Sequence, residues 1–222
     1  YCLDYPGVNQ HIIIYDNAND TGGTPLTQKP GMFNNLLSSY VFEGWFKMDV
    51  VPGNGDDPVG ILSKWEATAV PADDRGVKLT VEWSVGLAKA VLIFRTQTGD
   101  AGDTIEYEFD NPSGIEPSTW YYFAVVRDLS GTVTPSDGPR YHFFFHEDGT
   151  AVEDITNDTS GVLSVFGTET QVTNVNLIFG AEHYYDGGAT IGHYLNGKNF
   201  NFRAFKTYRT TTQIANARNL II

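Results

Sequence analysis

The amino-acid sequence predicts an all-β protein, built as a two-sheet antiparallel β-sandwich with one short C-terminal helix. Thr, Val, Tyr and Phe are frequent, and these residues favour strands. Short strand-like stretches follow one another with turn-forming residues between them, which is typical of sandwiches and barrels rather than of alternating strands and helices. With 23 Gly, 10 Pro and 14% aromatic residues among 222, the composition is that of a folded chain with many turns.

The predicted strands are distributed along the whole chain. They cover residues 11–15, 40–50, 59–64, 77–83, 89–97, 104–109, 120–127, 141–146, 175–180 and 199–206. Segments rich in Gly, Pro, Asp and Asn, such as 16–25 and 52–58, separate them. Only residues 211–218 predict a helix, with Thr210 or Thr211 available as its N-cap. No segment has the length and polarity of a linker, so we expect a single domain over residues 1–222.

Residues 141–156 place two histidines and several acids beside a group of aromatic residues. Asp148 and Gly149 favour a two-residue turn, because both tolerate the positive φ that such a turn needs, and the stretch therefore predicts a hairpin. Side chains alternate along a strand, so one face carries Tyr141, Phe143 and Phe145 and the other carries His142, Phe144 and His146. The two histidines then lie roughly 13 Å apart, too far to bind one metal ion. We interpret the stretch as architecture.

Two predicted strands are apolar on both faces. In 40–48 one face carries Phe42, Gly44, Phe46 and Met48, and the other carries Val41, Glu43, Trp45 and Lys47. In 120–127 one face carries Trp120, Tyr122, Ala124 and Val126, and the other carries Tyr121, Phe123, Val125 and Arg127. Strands of this kind are buried on both sides, so we expect both to be central in their sheet.

Several motifs occur in an order that is specific when they are taken together. They are LDYPGVNQHI (3–12), YVFEGWFKM (40–48), ILSK (61–64), STWYYFAVVRD (118–128), NLIFG (176–180) and YLNGKNFNFRAFKTYRTTTQI (194–214). In this order they resemble the laminin-G-like and concanavalin A-like jelly-roll domains, especially the bacterial and viral branch. The resemblance spans almost the whole chain. It implies two packed antiparallel sheets, with the first and last strands paired.

The resemblance also raises the question of whether this protein binds calcium. In the last motif the family often has an Asp that helps to hold a structural calcium, and Phe200 occupies that position here. Its neighbours Asn199 and Asn201 carry amides, which bind calcium more weakly than carboxylates do. Rim loops offer other candidates, namely Asp16, Asn17, Asn19 and Asp20, and also Asn54, Asp56 and Asp57. As solvated turns these residues need no metal, and we favour that interpretation.

The candidate catalytic residues are Glu106, Glu108 and Asp110, which alternate along one strand. Neighbours on that face stand about 6.6 Å apart, near the separation of paired glycosidase acids. The run resembles that of laminarinase-type glycoside hydrolases, whose order is Glu, Asp, Glu. The simpler interpretation is that Ile105, Tyr107 and Phe109 face the core while the acids face water. We therefore expect a protein that is not an enzyme, with a glycoside hydrolase using Glu106 and Glu108 as the less favoured alternative.

The candidate ligand-binding residues are Glu182, His183, Tyr184, Tyr185 and Asp186, followed by two glycines. A sugar site needs an aromatic platform beside hydrogen-bonding groups, and we assign Tyr184 to stacking on a sugar ring and Asp186 to accepting from hydroxyls. The glycines would let the backbone approach a ligand closely. The alternative is a tyrosine-rich loop that packs on its own domain or on a neighbouring subunit.

Charge and hydropathy limit the class of partner. A formal charge of −13 and a pI near 4.6 argue against nucleic acid and against an anionic bilayer, since both require a basic surface. No apolar run approaches the length of a membrane span, so we expect no membrane insertion. The single cysteine, Cys2, excludes an internal disulfide and is expected to be a small hydrophobic residue of the first strand.

Two hypotheses about function follow. The first is a non-catalytic recognition or adhesion module that binds a glycan or a surface protein, on a secreted, cell-surface or virion-surface protein. The second is a structural subunit of a virion or filament, which contacts copies of itself or other virion proteins.

Overall fold

The computed structural model describes residues 2–6, 11–14, 39–65, 75–98, 103–109, 113–128, 140–148, 153–154, 177–185, 189–205, 207 and 209–218. These residues form a β-sandwich with one short helix, as predicted. The strands are β1 (Cys2–Pro6), β2 (Ile12–Ile14), β3 (Tyr40–Met48), β4 (Val59–Trp65), β5 (Arg75–Ser84), β6 (Lys89–Thr98), β7 (Asp103–Phe109), β8 (Trp120–Asp128), β9 (Arg140–Glu147), β10 (Glu153–Asp154), β11 (Leu177–Phe179), β12 (Glu182–Tyr185), β13 (Ala189–Gly192) and β14 (Asn196–Phe205), followed by α1 (Thr211–Arg218).

Two six-stranded antiparallel sheets form the sandwich. Sheet A has the order β1-β14-β3-β8-β9-β10, and sheet B has the order β2-β11-β4-β5-β6-β7. The prediction that the first and last strands pair is confirmed by the β1–β14 ladder, in which Leu3 stands opposite Asn199. The prediction of central positions is confirmed too, because β3 and β8 are the two middle strands of sheet A.

The main core lies between the sheets and is rich in aromatic side chains. Sheet A contributes side chains from β3, β8 and β9, namely Phe42, Phe46, Met48, Tyr121, Phe123, Tyr141, Phe143 and Phe145. Sheet B contributes Leu92, Phe94, Tyr107 and Phe109. Tyr107 stacks on Phe143 with ring centroids 3.5 Å apart and planes 10° apart. The alternation predicted for β3, β8 and β9 is therefore confirmed, since the side chains assigned to one face pack together here.

A second, smaller core covers part of the outer face of sheet A, which is the face turned away from sheet B. Ile214 of α1 packs there against Val41, Ala124, Val126 and Phe144. Glu43, which is fully buried, holds the segment that leads into α1 through ion pairs with Arg203 and Arg209. The Tyr122 hydroxyl donates to the same carboxylate over 3.1 Å. A buried charge is costly unless it is paired, so these contacts fix the helix on the sheet.

Two local predictions need correction or refinement. Glu153 pairs with Phe145, which confirms the hairpin after β9. A regular two-residue turn leaves an even number of residues between two paired positions. Seven residues (146–152) separate Phe145 from Glu153, so the connection is not the predicted two-residue turn. The segment from Glu182 is not a loop: β12 and β13 pair as a separate two-stranded sheet. Among the described residues, no helix is long and apolar enough to cross a bilayer.

Candidate functional site

A row of charged side chains crosses the outer face of sheet B. Lys78 of β5 stands opposite Arg95 of β6, and Arg95 stands opposite Glu106 of β7. The neighbouring residues Val77, Leu79, Phe94 and Tyr107 belong to the core, so alternation turns these three side chains away from sheet A. Thr80 and Glu82 follow Lys78 on the same face of β5. We call these five residues (Lys78, Thr80, Glu82, Arg95 and Glu106) the polar row.

Arg95 is the centre of the polar row. Its guanidinium binds both carboxylate oxygens of Glu82, with Nη2 2.9 Å from Oε2, and its Nε lies 2.7 Å from Glu106 Oε2. The same group donates to Thr80 Oγ1 over 3.1 Å, and Thr80 donates to Glu82 over 2.6 Å. A planar guanidinium bound on several sides has little freedom left, so the row presents its donors and acceptors in a fixed arrangement.

The β12–β13 hairpin joins the polar row through Glu182. This carboxylate is 3% exposed; Oε1 binds the Lys78 ammonium and Oε2 lies 3.1 Å from His193 Nδ1. The Lys78 ammonium also lies over the Trp65 ring, 5.3 Å from its centroid. Glu182 therefore links the hairpin to the end of the row that is farthest from Glu106.

Gly60 of β4 lets the hairpin approach the sheet. It stands opposite Thr80, so its missing side chain would point to the outer face. A Cβ there would lie 2.2 Å from the carbonyl carbon of Ala181, a backbone atom that cannot move aside like a side chain. The Gly60 amide donates to the His193 carbonyl over 2.8 Å. His193 itself has a φ of 51°, which is uncommon for a residue other than glycine. The Gly60 amide at its carbonyl and the Glu182 carboxylate at its ring hold it in this conformation.

Two paired carboxylates of this region, the buried Glu182 and the partly buried Glu82, are stable anions. Burial alone would raise the pKa of Glu182, but the hydrogen bond with His193 and the charge of Lys78 outweigh it, and the pKa lies below its usual value. Burial likewise opposes ionisation of Glu82, and the hydrogen bonds from Arg95 and Thr80 outweigh it, so this pKa is also lowered. Neither group is suited to donate a proton near neutral pH, which is what the general acid of a glycosidase must do.

Glu106 and Glu108, the two predicted catalytic residues that the structure describes, lie on the outer face, as their simpler interpretation required. Tyr107 and Phe109 are buried in the core, while Glu106 is half exposed and paired with Arg95. Glu108 follows on the same face and is partly buried. Asp110 lies outside the described residues, so the three-acid run is described only in part.

The predicted binding residues are only partly described. Glu182 is buried in ion pairs and serves as an anchor rather than as a free ligand contact. His183, Tyr184 and Tyr185 lie on β12, where Tyr184 pairs with Thr190 of β13. Asp186 lies outside the described residues.

Of the predicted calcium ligands, only Asn54, Asp56 and Asp57 lie in the described part of the chain. Asp16, Asn17, Asn19 and Asp20 lie outside it. In the second loop, Asp56 Oδ2 accepts from the Gly53 amide over 2.7 Å and so closes a turn. Among the described residues no group of three or more His, Cys, Asp or Glu side chains has the geometry to hold a metal.

Sequence reasoning missed Lys78, Arg95 and His193. A signal for the first was present, because Lys78, Thr80 and Glu82 alternate with Val77, Leu79 and Val81, the pattern of a strand with one polar face. Nothing in the sequence indicated that this face would meet Glu182, which is 104 residues away.

Comparison with known proteins shows the fold and no family. No protein-family model matches the chain, and no curated protein matches it. Among solved structures, the binding domain of botulinum neurotoxin serotype D matches over 98% of this chain and 41% of its own, with a TM-score of 0.51 and 12% identity. The binding domain of Paraclostridial Mosquitocidal Protein 1 matches over 99% of this chain and 47% of its own, with a TM-score of 0.50 and 10% identity.

The alginate lyase of Klebsiella pneumoniae is a weaker match, with a TM-score of 0.43 and 12% identity over 78% of this chain and 60% of its own. The chain thus spans less than half the length of the two binding-domain chains that it matches. At these identities the similarity shows a shared β-sandwich fold alone.

Proposed function

We propose that this chain is a non-catalytic recognition module of an extracellular protein, and that it binds a neutral glycan across the polar row and the adjoining β12–β13 hairpin. The glycan is the ligand class that fits the chemistry of the surface. Sugar hydroxyls both donate and accept hydrogen bonds, and a row of alternating cations and carboxylates offers acceptors and donors side by side.

The observation that carries the proposal is the arrangement of Lys78, Arg95 and Glu106 in register across three neighbouring strands. Adjacent strands lie about 4.8 Å apart, so the row from β5 to β7 spans roughly 10 Å, the length of about two sugar rings. Arg95 and Glu82 remain 15% and 19% exposed, and Glu106 is 50% exposed. A ligand lying along the row therefore meets charged groups that are already held in place, which lowers the entropic cost of binding.

The charge of the face favours a neutral sugar over an acidic one. Each cation of the row is paired, and Glu82, Glu106 and Glu182 outnumber Lys78 and Arg95. An anionic polymer would meet repulsion from these carboxylates. The proposal of a binding role is also supported by the fold neighbours with the higher TM-scores, since both are binding domains of toxins.

The test is a glycan array on the whole chain, run once with calcium and once with a chelator. For any sugar that binds, the binding of two variants is then measured. Glu106→Gln removes a half-exposed carboxylate of the row, and Tyr184→Ala changes the hairpin. The matched control is Glu116→Gln, the same chemical change in an exposed loop. We expect both site variants to weaken binding about tenfold or more and the control to bind like the wild type.

Other outcomes would favour the other hypotheses. A blank array together with concentration-dependent assembly in sedimentation velocity would replace the proposal with a structural subunit. Release of reducing ends from a bound glycan, lost in Glu108→Gln, would replace it with a glycoside hydrolase. Binding that the chelator abolishes would support calcium in the loop of Asp16, Asn17, Asn19 and Asp20, which is the proposed site for that ion.

A further inference from the structure

Two lysines stand directly opposite each other on the outer face of sheet A. Lys47 of β3 pairs with Lys198 of β14, and both side chains are partly exposed. Like charges in this position destabilise a sheet. The pair is also unusual for this chain, which has 14 basic and 27 acidic residues. On its other side Lys198 stands opposite position 4 of β1.

An aromatic ring extends the row on the other side of Lys47. Trp120 of β8 stands opposite Lys47, and the ammonium lies 5.7 Å from the centroid of its ring. The ring is only partly buried. The lysine has a flexible four-carbon stem, so its charge is free to turn from the ring to an anion and leave the indole face to apolar atoms.

From these contacts we propose a second binding site, formed by Lys47, Lys198 and Trp120, for a carboxylated saccharide. The ammonium groups bind the carboxylate, and the Trp120 ring packs against the C–H face of the sugar. The site does not depend on the function proposed for the polar row. The two sites lie on opposite outer faces of the sandwich. The polar row has an excess of carboxylates and repels anions, whereas the site on sheet A attracts them.

The probe is a short oligogalacturonide, compared with its methyl ester, which keeps the sugar rings and removes the charge. Binding to the whole chain is followed by calorimetry and by the ¹⁵N–¹H NMR signals of the tryptophan indoles. We expect the acid to bind at least tenfold more tightly than the ester, to bind more weakly as salt is added, and to shift the Trp120 indole signal. Sialyllactose and a sulfated disaccharide complete the set of probes.

Lys47→Gln and Lys198→Gln should each weaken binding of the acid about tenfold. Lys89→Gln, the same change at the start of β6, is the matched control and should bind like the wild type. Equal binding of acid and ester, an effect of Lys89→Gln as large as that of Lys47→Gln, or no binding of any acidic probe at millimolar concentration would overturn the proposal. Because the glutamine variants change only surface charge, thermal unfolding should show them folded.

Discussion

Lys78 and Glu182 form an ion pair that fastens the β12–β13 hairpin to the outer face of sheet B, although the two residues are 104 positions apart in the sequence. The carboxylate is 3% exposed and the lysine 14% exposed, so the pair is shielded from solvent. Its position beneath the hairpin means that the fold and the candidate binding surface depend on the same contact.

Glu182→Gln should lower the free energy of unfolding by about 2 to 3 kcal/mol, because it leaves the Lys78 charge without its buried partner. Urea unfolding followed by circular dichroism measures the change. Glu116→Gln, in an exposed loop, is the control and should stay within about 0.5 kcal/mol of the wild type. Equal stability of the two variants would mean that the ion pair contributes nothing to the fold.

Gly60→Ala should be strongly destabilising, because the new Cβ would lie 2.2 Å from the Ala181 backbone. We expect a loss of about 3 kcal/mol, together with faster hydrogen exchange at the Gly60 amide, whose bond to the His193 carbonyl would be broken.

Gly86→Ala is the matched control for this change. Gly86 lies in the turn between β5 and β6, and a Cβ there meets nothing within 4 Å. That variant should lie within about 0.5 kcal/mol of the wild type. If Gly60→Ala were as stable as Gly86→Ala, the hairpin would not sit against β4 as the structure has it.

Much of the sandwich could be predicted because its strands have strong local signals. The alternation in β3 and β8 identified which side chains face the core, and the run 211–218 has the bounds of α1. The short strand β13 was missed, since four residues give no usable periodicity. Residues 182–188 resemble a loop in sequence because they end in two glycines, and pairing with β13 makes residues 182–185 strand β12.

The candidate site was less predictable than the fold, for a physical reason. Glu182 and Glu106 were each recognised as chemically interesting, but as separate sites. They belong to one surface because Lys78 and Arg95 connect them, and that connection is set by strand register. Register between distant strands is determined by packing of the whole sheet, which a local pattern does not contain.

Thr210→Ala should destabilise α1 by about 1 kcal/mol. The Thr210 hydroxyl accepts from the Gln213 amide over 3.3 Å, and the Gln213 side chain accepts from the Thr210 amide over 2.9 Å, so the two form a capping box. Thr212→Ala, at an exposed helical position, is the control and should be neutral or slightly stabilising, since Ala is the better helix former. Thermal unfolding of both variants makes the comparison, and equal melting temperatures would contradict the role of the cap.

Acid should weaken the fold through Glu82 and Glu182, since the folded state lowers the pKa of both groups below the usual 4.5. As the pH falls, the unfolded chain binds these protons first. The stability that the two carboxylates contribute is therefore complete above about pH 5 and is lost as the pH falls through their folded pKa values. Urea unfolding of the wild type and of Glu182→Gln between pH 3 and 7 should give a difference that is constant at the upper end and shrinks below about pH 4.5. The same pH dependence is expected for Glu82→Gln. If the difference in the free energy of unfolding persisted unchanged to pH 3, the pairs with Lys78 and Arg95 would not be what holds these carboxylates ionised.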